Sequence, residues 1–244
     1  MEIIISFHLI KVGVNMKILA SDFDNTLYLP EDLETTKRNI ESIKKYVALG
    51  NIFCIITGRN YSGLKQLLIQ YNIPYTYLIC EDGAKIFNNM DYCIDTTMIP
   101  KEDIETITSI LEKDNYDYYL DDGYNQTNNL NDCVKVVVNC LEEKEKEEVV
   151  QKIKEKINIH VYASRYHVNI IHKSVNKENA LKKLLNLEKL DYHNVYVIGD
   201  NDNDYEMLKT FNGGVIKNHH HKLDELQKKS YNTLSDYIEE LMKY

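Results

Sequence analysis

Residues 17–27, KILASDFDNTL, give the first indication of the fold, because they join a short apolar strand to a polar turn that carries two carboxylates. The run KILASD is typical of a buried strand, and it ends at Asp22. Two later runs repeat the pattern: IFCII is followed by Thr57, and VYVIGD ends at Asp200. Because amphipathic helical patterns lie between such runs, the sequence predicts a parallel sheet wrapped by helices.

The middle of the chain has a different pattern. A helical stretch over residues 101–113 is followed by tyrosine-rich alternating segments, by VKVVVNC and by a highly charged helical run. Helices mixed with alternating strands indicate an antiparallel α+β module. We therefore predict an α/β fold with an interrupted core. Its parts are an N-terminal extension at residues 1–15, a Rossmann-like parallel-sheet core at residues 16–84 and 175–244, and an inserted α+β domain at residues 85–174.

Composition limits the possible partners. The 244 residues carry a formal net charge of -9, which argues against a general affinity for nucleic acid or for an anionic membrane. The five cysteines form no C-x-x-C pair, and their odd number does not suggest a disulfide framework, so a reduced cytoplasmic setting is expected. The apolar stretch within residues 1–15 is shorter than the roughly 20 residues that span a bilayer, and it lacks signal-peptide features.

The carboxylates of Asp22 and Asp24 are two residues apart on a turn at the carboxyl end of a predicted strand. Open α/β folds bind their ligands at such strand ends. One carboxylate can act as a nucleophile, while the other protonates the leaving oxygen and later activates water. The alternative is that D-x-D-N-T only forms a turn or caps a helix.

A second acidic cluster, GDNDND at residues 199–204, follows another predicted strand. Hard oxygen ligands at this density suit Mg²⁺, and a cation would reduce the repulsion between the two acidic clusters. The twelve-residue pattern of an EF-hand Ca²⁺ loop is absent. A solvated acidic turn stays open as the alternative.

Further candidates lie at strand-to-helix junctions. Thr57 offers a hydroxyl group, and with Gly58 it offers backbone N–H groups to a phosphoryl oxygen. Lys177 precedes an amphipathic helix and can supply a fixed positive charge to an anionic transition state. Arg59 is either a surface residue at a helix start or a substrate contact. The histidines at 219–221 are expected in a surface loop, with transition-metal binding as the alternative.

Four motifs, DFDNTL, IITGR, VNKENAL and GDNDND, resemble in this order the successive motifs of the haloacid dehalogenase superfamily. The position of the inserted domain resembles the cap of the Cof-type sugar-phosphatase branch. EDGAKI resembles the Asn-Gly-Ala segment that opens this cap, with Asp82 in place of the usual Asn. Asn25 stands where Gly is common. The resemblance covers nearly everything from Met16 onward.

This resemblance implies a function for each matching residue. Asp22 is implied as the nucleophile and Asp24 as the acid and base, while Thr57 and Lys177 are implied as ligands of the phosphoryl group. The expected cofactor is Mg²⁺. Its implied ligands are Asp22, the backbone carbonyl of Asp24, and Asp200, with Asn203 and Asp204 supporting the metal or orienting Lys177. Arg59 and Asp82 are the candidate substrate contacts.

The sequence therefore predicts a Mg²⁺-dependent phosphatase that acts on small phosphate monoesters, with sugar phosphates as the first candidates. Two alternatives stay open: a phosphomutase that resembles the eukaryotic phosphomannomutases and acts on hexose phosphates, and a phosphate-binding regulator without turnover. Asp24 argues against the regulator, because transport ATPases of the same superfamily carry Thr there and keep a long-lived phosphoenzyme. The expected partner is a small phosphorylated metabolite, and the sequence leaves the oligomeric state open.

Overall fold

The computed structural model describes residues 16–140, 142–164 and 166–243. The extension predicted at residues 1–15 lies outside these ranges. In chain order the strands are β1 (Ile18–Asp22), β2 (Ile52–Ile56), β3 (Tyr77–Cys80), β4 (Lys85–Asn88), β5 (Cys93–Thr96), β6 (Tyr118–Asp121), β7 (Gln126–Thr127), β8 (Lys135–Asn139), β9 (His160–Ala163), β10 (His167–Ile171), β11 (Val195–Gly199), β12 (Asn212–Ile216) and β13 (Lys229–Tyr231). The α-helices are α1 (Leu33–Ala48), α2 (Tyr61–Tyr71), α3 (Lys101–Lys113), α4 (Glu143–Lys156), α5 (Lys177–Leu187), α6 (Tyr205–Thr210) and α7 (Leu234–Leu241).

The larger sheet of the described residues has the strand order β13-β12-β11-β1-β2-β3-β4-β5. The first six strands in this order, from β13 through β3, pair in parallel, and β1 lies between β11 and β2. Every residue of β1 and of β2 is buried, as expected for a parallel sheet covered on both faces. The α/β fold predicted from the sequence is confirmed.

Each face of the larger sheet packs against a separate layer of helices. On one face, Leu19 and Phe53 pack with apolar side chains of α1, α2 and α7. On the other face, Ile18 and Ala20 pack with apolar side chains of α5 and α6. The core is therefore a three-layer sandwich, and it is rigid where β1 passes through its centre.

Strands β4 and β5 follow Ala84, and they continue the larger sheet. The strand β4 pairs antiparallel with β3, and β5 pairs antiparallel with β4. The sequence interpretation had placed these residues in the inserted domain. We propose that the inserted domain, called the cap from here on, consists of residues 97–174.

The cap contains a five-stranded antiparallel sheet with the order β7-β6-β8-β10-β9. Helices α3 and α4 cover one face of this sheet, where Ile107 and Ile153 pack against Val136 and Val168. The opposite face carries Lys135, whose side chain contacts the core. The cap sheet therefore faces the carboxyl ends of the parallel strands.

The parallel strands place four segments at one edge of the larger sheet. Strand β1 ends at Asp22, Thr57 follows β2, Glu81 follows β3, and Asp200 follows β11. This edge is where open α/β folds bind ligands. None of the helices in the described ranges combines the length and the apolar character that a membrane crossing requires.

Candidate active site

Lys177 lies at the centre of the site, between two carboxylates. The side chain of Asn176 accepts a hydrogen bond from the backbone N–H of Asn179 and so caps α5, which begins at Lys177. The Nζ of Lys177 donates to Oδ1 of Asp22 and to Oδ1 of Asp204, each at 2.6 Å. Burial would lower the pKa of Lys177, but the charges of Asp204 and Asp22 outweigh it and raise the pKa well above its usual value. The amine therefore stays protonated.

Asp22 is a buried carboxylate at the end of β1. Burial raises the pKa of Asp22 well above its usual value, and the nearby charges of Asp204 and Asp200 raise it further, against the opposing charge of Lys177. Lys177 is therefore the main group that stabilises the ionised form of Asp22.

The loop at residues 199–204, called the acidic loop, is folded around the carboxylate of Asp204. Its Oδ2 accepts hydrogen bonds from the backbone N–H groups of Asp200 and Asn201, both at 3.0 Å. A Cβ atom at Gly199 would lie 2.4 Å from Cγ of Asp204, so the loop requires glycine there. Oδ1 of Asp204 accepts a hydrogen bond from Lys177, so both oxygens of this carboxylate accept hydrogen bonds from residues of the site.

The residues present fit a hard cation. Ligand atoms of Asp22, Asp200 and Asp204 all lie within 4.8 Å of one another. Oδ1 of Asp200 accepts a hydrogen bond from the Thr26 hydroxyl at 2.9 Å. The carboxyl groups of Asp22 and Asp200 also interact with each other, and a cation bound between them would reduce the repulsion of two ionised groups. Asp22 and Asp200 are thus the carboxylates that suit Mg²⁺, and Asp204 supports the loop behind them.

Asp24 and Arg59 form a two-bond ion pair across the ends of β1 and β2. Nε of Arg59 donates to Oδ2 of Asp24 at 2.8 Å, and Nη2 donates to Oδ1 at 2.7 Å. Both side chains are partly exposed, at 42% for Asp24 and 38% for Arg59, so solvent and small molecules reach them. The sequence interpretation considered a surface position or a substrate contact for Arg59. The structure shows a contact that neither alternative names, because both oxygens of Asp24 accept hydrogen bonds from Arg59.

The turn that follows Asp24 contains Asn25, whose φ angle is +60°. This left-handed conformation is unfavourable for most side chains, and asparagine tolerates it better than other non-glycine residues. The backbone N–H of Asn25 donates to the carbonyl of Tyr28 at 2.9 Å and closes the turn. Asparagine in place of the more common glycine is therefore compatible with this turn.

The segment at residues 57–59, called the phosphate loop, is fixed from both sides. The backbone N–H of Thr57 donates to the carbonyl of Ile79, and the carbonyl of Thr57 accepts from the N–H of Asp82, both at 2.9 Å. The N–H of Gly58 donates to no described residue, so it is free to bind an anion. A Cβ atom at Gly58 would lie 3.1 Å from Oδ1 of Asp82, which leaves little space for a larger residue.

Asp82 lies beside this loop at φ +56°, almost fully buried. Its Oδ2 accepts hydrogen bonds from Nζ of Lys135, at 2.9 Å, and from the Tyr162 hydroxyl, while its Oδ1 accepts from Nδ2 of Asn203 at 3.2 Å. Burial would raise the pKa of Asp82, but the charge of Lys135 and these hydrogen bonds outweigh it and lower the pKa to about 2. Protein groups thus occupy both oxygens of this candidate substrate contact.

Sequence reasoning missed three residues near the site. Glu81, Lys135 and Tyr162 meet around Asp82, and two of them come from the cap. Lys135 carried a signal, since it opens the run KVVV as a lone cation on an otherwise apolar strand. Thr26 was quoted within DFDNTL but given no function, and its hydroxyl bonds to Asp200.

The histidines at 219–221 lie beside the acidic loop. Nδ1 of His219 contacts the carbonyl of Ile216 at 2.7 Å, and Nε2 contacts Asp224 at 3.0 Å. The backbone N–H of His220 donates to the carbonyl of Asp200 at 2.8 Å. The geometry therefore gives no support to the transition-metal alternative in the described part of the chain, where the one cluster of potential ligands is Asp22, Asp200 and Asp204.

Known proteins are similar to this chain in sequence and in fold. A protein of Buchnera aphidicola subsp. Baizongia pistaciae, named as a candidate phosphatase, is 27% identical over 241 residues that cover 84% of this chain and 88% of its own. The phosphoglycolate phosphatase of Methanobrevibacter smithii is 25% identical over 207 residues that cover 80% and 83%. A solved haloacid dehalogenase-like hydrolase from Bacteroides thetaiotaomicron has the same fold, with a TM-score of 0.79 at 17% identity over 93% of this chain and 99% of its own.

The family model for haloacid dehalogenase-like hydrolases matches residues 19–126 and 116–236 of the chain. These ranges include the carboxyl ends of β1, β2 and β11. They also include Lys177, which is the first residue of α5. The resemblance inferred from the four motifs is confirmed, and the protein belongs to the haloacid dehalogenase-like hydrolase family.

Proposed function

We propose that the protein is a Mg²⁺-dependent phosphatase that hydrolyses small phosphate monoesters, with sugar phosphates as the first candidates, through an aspartyl-phosphate at Asp22. The observation that carries the proposal is the position of Lys177, whose Nζ lies 2.6 Å from both Asp22 and Asp204. A buried cation beside a buried carboxylate suits a nucleophile that receives an anionic group. The phosphatase names of the two relatives support the same reaction class.

In the first step, an oxygen of Asp22 attacks the phosphorus atom and the bond to the leaving oxygen breaks. Asp24 in its protonated form gives its proton to this oxygen, and the alcohol leaves. Lys177 and the N–H of Gly58 donate hydrogen bonds to the phosphoryl oxygens, and the Thr57 hydroxyl does the same. Asp22, Asp200 and the backbone carbonyl of Asp24 would hold Mg²⁺, which would supply positive charge to the phosphoryl group.

In the second step, water attacks the phosphorus atom of the aspartyl-phosphate. Asp24, now ionised, takes a proton from this water, and Asp22 leaves as a carboxylate with inorganic phosphate as the product. The cap covers this edge of the sheet and limits access of stray water between the two steps. The partial exposure of Asp24 supports its assignment as the group that meets both the leaving alcohol and the incoming water.

The test is phosphate release from a panel of monoesters, with wild type and Asp22→Asn compared in Mg²⁺ and in EDTA. The panel contains hexose phosphates, phosphoglycolate, nucleotides, pyridoxal phosphate and flavin mononucleotide. Asp202→Asn is the matched control, because Asp202 is an exposed carboxylate of the acidic loop that pairs with Lys222. We expect turnover that requires Mg²⁺, disappears in Asp22→Asn and persists in Asp202→Asn.

Full activity in folded Asp22→Asn would refute the mechanism. If folded wild type hydrolyses no ester in the panel, the phosphatase proposal fails. A phosphomutase would then show isomerisation of a hexose phosphate that is activated by a sugar bisphosphate, and a regulator would show phosphate binding without turnover.

A further inference from the structure

Lys135 is a cap residue whose charged end lies in the core. Alternation along β8 directs Val136 to the cap helices, so Lys135 points from the opposite face toward the core. Its side chain is only 5% exposed. Its Nζ lies 2.9 Å from the carbonyl oxygen of Gly58, 2.9 Å from Oδ2 of Asp82 and 2.5 Å from Oε2 of Glu81. One cap side chain thus contacts the segments that follow β2 and β3.

Asp82 connects Lys135 with two further parts of the site. Its Oδ2 also accepts a hydrogen bond from Tyr162 of β9, which is a second cap residue. Its Oδ1 accepts from Asn203 of the acidic loop at 3.2 Å, and its backbone N–H donates to the carbonyl of Thr57 at 2.9 Å. A single buried residue therefore joins the cap, the phosphate loop and the acidic loop.

Burying this ion pair is costly, so packing alone does not account for it. Apolar side chains of similar volume would fill the same space without desolvating two charges. The charges of Asp82 and Glu81 outweigh the effect of burial and raise the pKa of Lys135 well above its usual value, so the pair remains ionised.

We propose that Lys135 is a positioning residue that, through Asp82 and the carbonyl of Gly58, holds the phosphate loop in its phosphate-binding geometry while the cap is docked. The inference rests on the proposed function for its effect on turnover, but its structural part does not. Since the same contacts hold the cap and the loop, cap docking and phosphate binding are coupled.

The test begins with Lys135→Met, which keeps most of the side-chain length and removes the charge. Three quantities are measured: hydrogen exchange of the amides at residues 57–59 and at Asp82, the affinity for inorganic phosphate in Mg²⁺ by calorimetry, and kcat and KM on the best ester. We expect faster exchange at these amides. We expect phosphate affinity and kcat/KM to fall roughly 10- to 100-fold, the scale of a small misplacement of binding groups.

Two further variants keep the test decisive. Tyr162→Phe removes one hydrogen bond to Asp82 and leaves every charge in place, so it should fold normally and show a smaller change in the same direction. Lys146→Met is the matched control. Lys146 is a cap lysine with 7% side-chain exposure that pairs with Glu143 at 2.6 Å and with the carbonyl of Ser164 at 3.2 Å. Its substitution should leave exchange at residues 57–59 and phosphate affinity unchanged.

Wild-type exchange and phosphate affinity in both Lys135→Met and Tyr162→Phe would overturn the inference. An equal loss in Lys146→Met would also overturn it, because general weakening of the cap would then explain the result. If wild type hydrolyses no ester, the proposed function fails on its own, and exchange together with phosphate affinity still decides the positioning function of Lys135.

Discussion

Arg59 holds the carboxylate of Asp24 with two hydrogen bonds, from Nε at 2.8 Å and from Nη2 at 2.7 Å. The two residues follow neighbouring parallel strands, so the pairing of these strands places their backbones side by side. A guanidinium group in this geometry restrains a carboxylate more strongly than an ammonium group does, because it bonds both oxygens at once. The rigid sheet thus aims the proposed acid and base of the reaction.

Arg59→Lys should lower kcat by roughly 10- to 100-fold, because a single ammonium group cannot hold both oxygens of Asp24 in place. The free energy of unfolding should change by less than about 1 kcal/mol, since the pair is partly exposed. Steady-state kinetics and urea unfolding measure the two effects. Arg38→Lys, on the exposed face of α1, is the control, and an Arg59→Lys variant with wild-type kcat would contradict the orienting function.

Lys177→Ala should slow turnover by about 30- to 1000-fold, because loss of one electrostatic stabiliser costs roughly 2–4 kcal/mol of barrier. The same change leaves Asp22 and Asp204 buried without their cation, and should lower the free energy of unfolding by about 3–5 kcal/mol. Kinetics and urea unfolding are both required, because the two losses have different causes. Lys182→Ala, which removes a surface pair with Glu178 on the same helix, should show neither.

Asp200→Asn should abolish the thermal stabilisation that Mg²⁺ gives to the wild type. A ligand at 100 times its dissociation constant stabilises a protein by about 2.7 kcal/mol, so a rise in Tm with Mg²⁺ reports the site directly. Without the Asp200 carboxylate, which is one of the two proposed to hold Mg²⁺, no rise in Tm should appear over the Mg²⁺ concentrations that stabilise the wild type. Asp202→Asn should keep the wild-type titration, and equal Mg²⁺ titrations of Asp200→Asn and wild type would place the metal elsewhere.

Glu81→Gln should stabilise the protein at pH 8 more than at pH 5.5. Burial, with smaller contributions from the charges of Asp121 and Asp82, raises the pKa of Glu81 to about 7, and Lys135 offsets only part of this. Because the folded-state pKa exceeds the unfolded value, the associated stability is present below pH 4.5 and is lost as the pH rises through 7. The loss at high pH is about 3 kcal/mol at most, and glutamine removes it.

Asp82→Asn is the matched control for this pH dependence, because the pKa of Asp82 is shifted in the opposite direction from that of Glu81. Its pKa is lowered to about 2, so its ionised form stabilises the fold above the unfolded pKa, and the stability is lost only as the pH falls toward 2. Urea unfolding should show the same loss at pH 5.5 and pH 8 for Asp82→Asn. Equal effects of Glu81→Gln at the two pH values would contradict the raised pKa of Glu81.

The core and the edge of the sheet that carries the candidate site could be predicted from the sequence. Apolar runs that end in polar residues define parallel strands, and parallel strands place their carboxyl ends at one edge of the sheet. For that reason Asp22, Thr57 and Asp200 were brought together without any knowledge of tertiary contacts. Lys177 followed from its place before an amphipathic helix, and its Nζ lies 2.6 Å from Asp22.

The way in which the cap contacts this edge could not be predicted from the sequence and is visible only in the folded chain. Lys135 and Tyr162 contact Asp82 across 53 and 80 residues of sequence, and alternation along their strands reveals which face they occupy but not what that face contacts. The same limit applies to β4 and β5, because the local sequence of a strand does not show which sheet it joins. Local sequence determines the conformation of a segment, whereas its long-range partners depend on which buried charges and hydrogen bonds the whole chain can satisfy together.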